Sequence, residues 1–276
     1  DSPPPVSFSS MSPQDIRDLS RARALLEEEN LAVRLTSKLG VPLEKGMKLL
    51  PQGFMKVVNR ATELALTKAL DVAVHSLAGK GSRTPSNNLH KSMVAVSGAV
   101  GGAFGLASLP IELPISTSVM LRSIAEIARH EGHDLSKIET RLECLQVFAF
   151  GEGGNDGNLK NSRYWLTRSA LGRALAEATS YIVERGAVDA TAGPVARLVS
   201  SIAARFGLVV SEEVAAKAVP IIGAASGSMI NLLFIHHFQA IAEGHFIVRR
   251  LEKKYGAELV RSFYQTEVSV PPPHLR

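Results

Sequence analysis

The residues whose types could bind a metal are histidines and carboxylates on two stretches with helical spacing. His237 and His245 are eight residues apart and share a helix face, and Glu126 lies one turn before His130. A dimetal centre in a helical bundle uses Glu-x-x-His pairs at i and i+3, and a common zinc motif is HExxH. The chain has EIARH and HEGH instead. The sequence therefore predicts no metal site and favours histidines that lie in a core or at an interface.

Signatures of nucleophilic or nucleotide-dependent catalysis are missing from the sequence. It contains no GxSxG, no P-loop, and no GxGxxG that follows a strand. Cys144 lies in the apolar run RLECLQVFAF, a context typical of a buried small hydrophobe rather than a nucleophile. Glu139 and Glu143 are one turn apart, which is the spacing of a polar helix face. We therefore expect no cofactor.

Composition limits the class of partner. Of the 276 residues, 45% are apolar, 21% are charged and 5% are aromatic, which is enough for a sizeable core in one domain or two. A formal net charge of +5 suits an anionic surface such as a phospholipid leaflet. It is modest for a nucleic-acid binder, and basic and aromatic residues do not alternate as they do in proteins that stack bases, so no nucleic-acid partner is expected. A single cysteine excludes an internal disulfide bond.

The most unusual element is a glycine-rich stretch without charge, residues 93–111. Its glycines recur four residues apart and would form a smooth helix stripe that another backbone can approach closely. Pro110 and Pro114 lie on either side of residues 111–113. They predict that the helix breaks at these three residues and that Glu112 lies in a turn. The residues that we expect to contact lipid or a membrane surface in this stretch are Gly98, Gly101, Gly102, Gly105, Leu109 and Ile111.

A second run, residues 218–242, contains no Asp, Glu, Lys or Arg and repeats the small-residue spacing at Gly223 and Gly227. Each run is long enough to reach across a bilayer. The first is only weakly hydrophobic, and the second contains Asn231 and His236, so a central buried pair of helices is the favoured interpretation. Reversible insertion of a helical hairpin into a membrane surface is the alternative.

The remaining elements predict an all-α, single-domain, multi-helix bundle built around these two Gly/Ala-rich apolar segments. We expect an extended arm at 1–11, a helical domain at 12–267 and a tail at 268–276. Ser12, followed by Pro13 and Asp15, predicts the first helix start. Ser136 and Glu139 predict a capping box for a later helix. No strand is predicted.

Three more helices can be placed by periodicity and glycine caps. A long amphipathic helix is predicted after Pro51, and its expected core positions are Phe54, Val57, Val58, Ala61, Leu64, Ala65, Ala69 and Val72. Residues 164–185 should form a helix that ends at Gly186, and residues 194–206 one that ends at Gly207. A separate helix is then expected to begin at Ser211.

The segment HFIVRRLEKKYG near the C-terminus is basic. Its cations are Arg249, Arg250, Lys253 and Lys254, close to the negative end of a predicted helix. They predict either dipole compensation on a solvated surface or a patch that contacts phosphates, since each Lys or Arg contributes about 1 kcal/mol at an anionic leaflet.

The chain resembles the EcsC protein family. The matching motifs are LEKGMKLLP at 43–51, SGAVGGAFGLASLPIELPISTSVMLRSIAEIARHEG at 97–132, RLECLQVFAFG at 141–151, VPIIGAASGSMINLLFIHHFQ at 219–239 and GHFIVRRLEKKYG at 244–256. The likeness covers roughly residues 13–265 in the family's order. It implies a helical architecture and a bacterial origin, but no settled activity. One departure is His237, where the family pattern implies an acidic residue.

The resemblance also implies a set of recurrent polar positions. Those that could form a candidate polar site are Glu112, Arg122, Glu126, Arg141, Glu143, Asn231 and His245; Arg249 and Arg250 recur as well. If Glu112, Arg122, Glu126, Arg141 and His245 converged in one pocket, the chain would be a candidate hydrolase or another enzyme.

The leading functional hypothesis is a peripheral lipid-binding or membrane-associated protein. It would use segment 93–120 as its apolar element and the basic C-terminal helix for phosphate contacts. A buried enzymatic site is the first alternative, and a scaffold that packs against an integral membrane protein such as a transporter is the second. We expect a cytoplasmic protein or one peripheral to the inner membrane, although a start at Asp1 without an initiator methionine also fits a processed periplasmic form.

Overall fold

The computed structural model describes residues 11–27, 31–40, 43–77, 109–151, 162–186, 188–219 and 224–266. Within these ranges the protein consists of ten α-helices and one short 3₁₀ turn, Val147–Phe150, and it contains no strand. The predicted all-α class is confirmed. The glycines at 98, 101, 102, 105 and 223, residues 1–10 of the predicted arm at 1–11, and the predicted tail at 268–276 lie outside the described residues.

The helices follow one another with short connections between most of them. They are α1 (Pro13–Leu26), α2 (Leu31–Leu39), α3 (Leu43–Leu49), α4 (Phe54–Ser76), α5 (Leu109–His130), α6 (Ile138–Gln146), α7 (Arg163–Arg185), α8 (Gly193–Lys217), α9 (Ala224–Tyr255) and α10 (Ala257–Gln265).

Two predicted helix ends are confirmed. The side-chain oxygen of Ser12 accepts a hydrogen bond from the backbone N–H of Asp15 at 3.1 Å, which satisfies an orphan donor at the start of α1. Gly186 ends α7 with a φ of 64°, a left-handed conformation that glycine adopts without strain.

The predicted turn between Pro110 and Pro114 is wrong, because α5 runs through both prolines. Pro110 lies in the first turn, where a backbone N–H has no partner within the helix in any case. Pro114 lies inside the helix and lacks the N–H that would bond to the carbonyl of residue 110, yet α5 continues through it, and Ser118 donates to the Pro114 carbonyl at 2.7 Å. Glu112 therefore lies on a helix and not at a turn.

The predicted helix end at Gly207 is also wrong, because α8 continues to Lys217. Gly207 lies inside the helix and faces α4. A Cβ built there would lie 3.4 Å from Asn59 Oδ1 and 3.7 Å from Thr62 Oγ1 of α4, which are ordinary contact distances. A glycine inside a helix and one after its end give the same local sequence signal.

The predicted capping box does not form. The N-cap of α6 is Lys137, which makes no side-chain capping bond, and the Ser136 N–H is bound by Asp134 Oδ1 at 2.9 Å. The carboxylate of Glu139 faces Arg249 of α9 instead, at 3.5 Å. Glu139 therefore takes part in an ion pair with another helix and not in a capping box at the start of α6.

The buried face of α4 agrees with the predicted one in part. Four of the eight predicted core residues are fully buried, namely Val58, Ala61, Ala65 and Ala69, whereas Val57 and Leu64 are 37% and 47% exposed. Because α4 packs against α5 and α6 on one side and α8 on another, its core face is wider than the predicted stripe and also includes Leu66, Leu70 and Ala73.

The core is continuous from α1 to α10, and α9 runs through its centre. With 32 residues α9 is about 48 Å long, and it packs against α1, α2, α5, α8 and α10. Four phenylalanines interlock where α8, α9 and the 3₁₀ turn meet. The ring centroids of Phe148, Phe206, Phe234 and Phe238 lie 4.9–6.1 Å apart, in the tilted and edge-on geometries that aromatic pairs prefer.

Helices α5 and α9 run in the same direction. Gln239 of α9 donates to Ser123 of α5 at 2.8 Å. Eleven residues further along α9, Arg250 pairs with Glu131, which directly follows α5, at 3.0 Å. The first halves of both helices therefore extend to the same side of the bundle.

Several other elements reach this side. Arg122 in the second half of α5 donates to Ser76, the last residue of α4, at 3.0 Å, so α4 begins on the same side as α5. Gly207 places the second half of α8 beside the first half of α4. Gly46 seats α3 on the end of α8, where an added Cβ would lie 2.0 Å from the Ala215 carbonyl oxygen. We call this side, formed by α3, the first halves of α4, α5 and α9 and the second half of α8, the α3 end.

Candidate functional site

A network of buried charges joins α6, α7 and α9. Arg249 of α9 contacts Glu143 of α6 at 2.5 Å and Glu252 at 3.0 Å. Arg168 of α7 binds Glu252 through two parallel hydrogen bonds of 2.8 and 2.6 Å, the bidentate geometry in which arginine pairs are strongest. Burial raises the pKa of Glu143, and the Arg249 charge opposes that rise.

The network continues into an aromatic pocket around His245. The Tyr164 hydroxyl lies 3.0 Å from His245 Nδ1 and accepts from Arg168 at 3.3 Å. Burial raises the pKa of Tyr164 to about 12 and lowers that of His245 well below its usual value, so both groups are neutral at pH 7. With Arg168 donating to the phenol oxygen, the phenol can donate to Nδ1, which leaves the proton of His245 on Nε2. That nitrogen has no hydrogen-bond partner among the described residues.

The network cannot act on a substrate in this conformation, because solvent and substrate have no access to His245. His245 has no exposed surface, and the rings of Phe150 and Phe246 lie 5.1 and 5.0 Å from its own. A substrate cannot reach the imidazole in this conformation. The network therefore holds α6, α7 and α9 together through paired charges that would be costly to separate.

Of the seven residues of the candidate polar site, only Glu143 and His245 belong to this network. Arg141 donates to the carbonyls of Val74 and, at 3.2 Å, Ser136. Its guanidinium therefore ties α6 to the end of α4.

Arg122 and Glu126 lie on the exposed face of α5. They do not pair with each other: Arg122 donates to Ser76, and Glu126 pairs with Arg129 at 2.5 Å.

Glu112 and Asn231 are half-buried, near the starts of α5 and α9. Glu112 Oε1 and Asn231 Oδ1 are buried and have no partner among the described residues. Because Glu112 precedes Arg122 by ten residues, the two lie about 15 Å apart along α5. The structure therefore does not bring the seven residues into one pocket.

The four cations of the C-terminal basic segment are bound by the protein's own groups. Besides the pairs of Arg249, the contacts are Arg250–Asp18 at 2.9 Å, Arg250–Glu131 at 3.0 Å, Lys254–Asp15 at 2.7 Å and Lys253–His133 Nδ1 at 2.9 Å. Hydrogen bonds from Lys254, Ser12 and Tyr255 lower the pKa of Asp15, which is 4% exposed. We call the contacts of Asp15 and Asp18 with Arg250 and Lys254 the α1–α9 clasp. Although Lys253 and Lys254 are exposed, all four cations are bound by groups of the protein itself.

Three functional side chains of the buried network were not predicted: Tyr164, Arg168 and Glu252. Tyr164 and Arg168 are one turn apart on α7, a weak signal of a shared face. The Arg168–Glu252 pair joins residues 84 positions apart, and no local pattern contains that information.

Two further observations concern metals and membranes. Within the described ranges no group of three or more His, Cys, Asp or Glu side chains could hold a metal ion. One described helix, α8, is long and apolar enough to cross a membrane by length and composition alone. Half of its apolar stretch is buried in the bundle, and the core helix of a globular protein meets the same criterion.

The exposed apolar side chains are concentrated at the α3 end. Of the twelve large apolar residues that are exposed in the described part of the chain, nine lie there. They are Met47 and Leu49 on α3, Val57 and Leu64 on α4, Ile111 and Ile115 on α5, Leu208 on α8, and Met229 and Leu232 on α9. Ile111 is 70% exposed, whereas Leu109 is buried. Of the two predicted lipid-contact residues that the structure describes, only Ile111 is accessible.

Comparison with known proteins gives a family and no function. The model of the EcsC protein family matches residues 14–251, which is most of the chain and includes every helix from α2 to α8. No curated protein and no solved structure matches the chain. The chain belongs to the EcsC protein family.

Proposed function

We propose that the protein is a peripheral lipid-binding protein that docks on a membrane surface with its α3 end. The observation that carries this proposal is the concentration of nine exposed apolar side chains at one end of the bundle. Large exposed apolar patches are uncommon on monomeric proteins and typically mark surfaces that bind a membrane or another protein. A bacterial inner membrane, reached from the cytoplasm, is the corresponding compartment.

Two helices that contain parts of the uncharged runs begin at this end. Residue 109, at which the glycine-rich stretch continues into α5, lies at the α3 end, and so does Ala224, the first residue of α9 and a member of the second run. The first halves of both helices also carry exposed isoleucine, methionine and leucine side chains. Transfer of each such side chain from water to an apolar phase contributes about 1.5–3 kcal/mol when it is complete, so a few of them support reversible surface binding.

The basic C-terminal segment has no part in this proposal. Lys253 follows Leu232 by 21 residues of the continuous helix α9, which separates the two by about 31 Å. A membrane that receives Leu232 would not reach Lys253, and Lys253 and its basic neighbours are already paired within the protein.

Flotation with vesicles of phosphatidylglycerol and phosphatidylcholine tests the proposal. The wild-type protein should float with the vesicles, and Ile111→Ser combined with Leu232→Ser should weaken binding at least about tenfold, because two accessible apolar side chains are lost. Leu166→Ser combined with Val183→Ser is the matched control, since these exposed residues lie on α7. Recovery of the wild-type protein in the soluble fraction with and without vesicles would refute lipid binding.

An integral membrane protein is the second candidate partner for the same surface. Small and apolar side chains at a helix end are also the groups that pack against transmembrane helices. A pull-down from detergent-solubilised membranes separates the two candidates. A specific protein retained by the wild type and lost with the Ile111→Ser, Leu232→Ser variant, together with no vesicle binding, would favour the scaffold.

A further inference from the structure

A second set of basic residues lies at the α3 end, on α3 and the first half of α4. They are Lys45, Lys48, Lys56 and Arg60, and all four are exposed. None of them makes an ion pair or a side-chain hydrogen bond in the described part of the protein. The stretch 43–60 contains four cations and one acidic residue, Glu44, so its charge is strongly positive.

These cations alternate with exposed apolar side chains. On α3, Met47 is 41% and Leu49 is 56% exposed, on either side of Lys48. On α4, Val57, Arg60 and Leu64 follow one another at spacings of three and four residues and therefore share a face. Apolar side chains between long basic ones are typical of helices in the membrane interface, where the aliphatic stems lie among the acyl chains and the charged ends reach the headgroups.

The fold holds this surface rigidly. Because an added Cβ at Gly46 would meet the Ala215 carbonyl oxygen at 2.0 Å and the Val219 side chain at 3.2 Å, α3 lies directly on the backbone of α8. Gly53, with a φ of 82°, makes the tight connection into α4. The inner face of α3 is thus fixed, and its outer face, with Lys48 and Leu49, is presented to solvent.

The α3–α4 cations are available to bind an external anion, whereas those of the C-terminal segment are not. Arg249, Arg250, Lys253 and Lys254 are denser along the chain, but the protein's own groups bind them, and releasing them would leave Asp15 and Glu143 as uncompensated buried charges. The α3–α4 cations can bind an external anion without breaking any internal pair.

We propose that the α3–α4 surface binds the phosphates of anionic phospholipids in a membrane leaflet through Lys45, Lys48, Lys56 and Arg60, while Met47, Leu49 and Val57 enter the acyl boundary. This inference rests on the proposed function and names the residues and the lipid charge that it requires. Neutral vesicles offer the same acyl chains without the net negative charge, so binding should depend on anionic lipid and weaken with salt.

The test is vesicle binding by the full chain with a charge-matched control. Lys48→Gln, Lys56→Gln and Arg60→Gln together should weaken binding to phosphatidylglycerol vesicles roughly 100-fold, because each cation contributes about a fivefold factor at an anionic leaflet. The control changes the exposed residues Arg17, Lys137 and Arg185 to Gln, which lowers the net charge equally elsewhere on the protein. It should bind within about threefold of the wild type, and circular dichroism should show both variants folded.

The outcomes separate this inference from the proposed function. If the wild type binds anionic vesicles and the two triple variants bind equally well, the α3–α4 surface is not the headgroup site, and membrane docking stands. If the wild type binds neither anionic nor neutral vesicles, both proposals are refuted. If inorganic phosphate at matched ionic strength releases the protein from vesicles, the cations form a site for a soluble anion and the leaflet assignment is overturned.

Discussion

His133, His237 and His245 are buried, and burial disfavours the protonated form of each imidazole. Burial lowers the pKa of all three, to about 4 for His237. In the unfolded chain a histidine has a pKa near 6.5. Between these values the unfolded state binds more protons than the folded state, so stability falls as the pH is lowered.

We therefore predict that acidification from pH 7 to pH 5 destabilises the protein, with His237 alone contributing about 2 kcal/mol. Burial raises the pKa of Glu143, which acts in the opposite direction, so a variant is needed to isolate the histidine. His237→Gln keeps a donor for the Gly151 carbonyl, which His237 Nε2 reaches at 2.7 Å. Urea unfolding should show a smaller loss between pH 7 and pH 5 for this variant.

The control for that experiment is His130→Gln, since the His130 side chain is 89% exposed. It should leave the pH dependence of the unfolding free energy unchanged. An equal pH dependence in the wild type and His237→Gln would contradict the assignment.

Residue burial was partly predictable. The sequence indicated a core position for Cys144 and a core or interface position for His237 and His245, and all three side chains are buried. Cys144 and His237 lie within apolar runs, whereas His245 is flanked by only a short apolar stretch. The paired state of Arg249, Arg250, Lys253 and Lys254 was not predictable, since their partners lie on α1, on α6 and in the segment that follows α5. From the sequence alone, a dense basic segment suggests a site that binds an external anion. The fold shows that the protein itself supplies the partners of these cations.

At the scale of elements, glycines set how closely helices cross. Gly244 of α9 lies against α1, where an added Cβ would be 2.8 Å from Leu26 Cγ and 2.9 Å from the Ala22 carbonyl oxygen. Gly172 of α7 is also helical, but nothing lies within 4 Å of the corresponding position. Alanine at residue 244 would therefore test the packing of two helices, whereas alanine at residue 172 would test helix propensity alone.

We predict that Gly244→Ala destabilises the protein by about 1–3 kcal/mol, because α1 must move away from α9. Gly172→Ala should stabilise it by about 0.5–1 kcal/mol, because alanine is the better helix former. Thermal unfolding measures both. A Gly244→Ala variant with an unchanged or higher Tm would mean that α1 and α9 tolerate a wider separation.

The periodicity of apolar residues predicted where helices occur, but it did not predict which of them continue without a break. The α7 start and its Gly186 cap were predicted within one residue. The continuous α5 and α8 were not, because Pro114 and Gly207 carry the same local signal whether they end a helix or lie inside one. Tertiary contacts decide between those outcomes, and the contact of Gly207 with α4 is one of them.

At the scale of the whole molecule, the two ends of the bundle differ. Exposed apolar side chains and unpaired cations lie at the α3 end, whereas the α1–α9 clasp and the region around Lys137 lie at the other. This polarity predicts one orientation on a membrane, with the α3 end facing the lipid.

An environment-sensitive dye on an introduced cysteine reports that orientation. The natural Cys144 is fully buried and burial raises its thiol pKa, so it should not react with the dye. We predict that a dye at Leu49→Cys shifts its emission to the blue on anionic vesicles, and that a dye at Lys137→Cys does not. A shift at residue 137 alone would reverse the proposed orientation.

The sequence predicted the all-helical class, but it did not predict that the exposed apolar side chains of the α3 end and the basic C-terminal segment lie at opposite ends of the bundle. That separation follows from the continuous 32-residue helix α9, which carries both the exposed Leu232 and the paired Lys253. The leading hypothesis from the sequence had assigned an apolar segment and the basic C-terminal helix to one membrane surface, but about 31 Å of helix lies between Leu232 and Lys253.

The α1–α9 clasp has a consequence for biosynthesis. Lys254 is added to the growing chain 239 residues after Asp15, its partner. At about 5–20 residues per second, the ribosome needs roughly 12–48 s to add those residues. During that interval the face of α1 that packs against α9 has no partner, so the clasp can close only after synthesis reaches the last turns of α9.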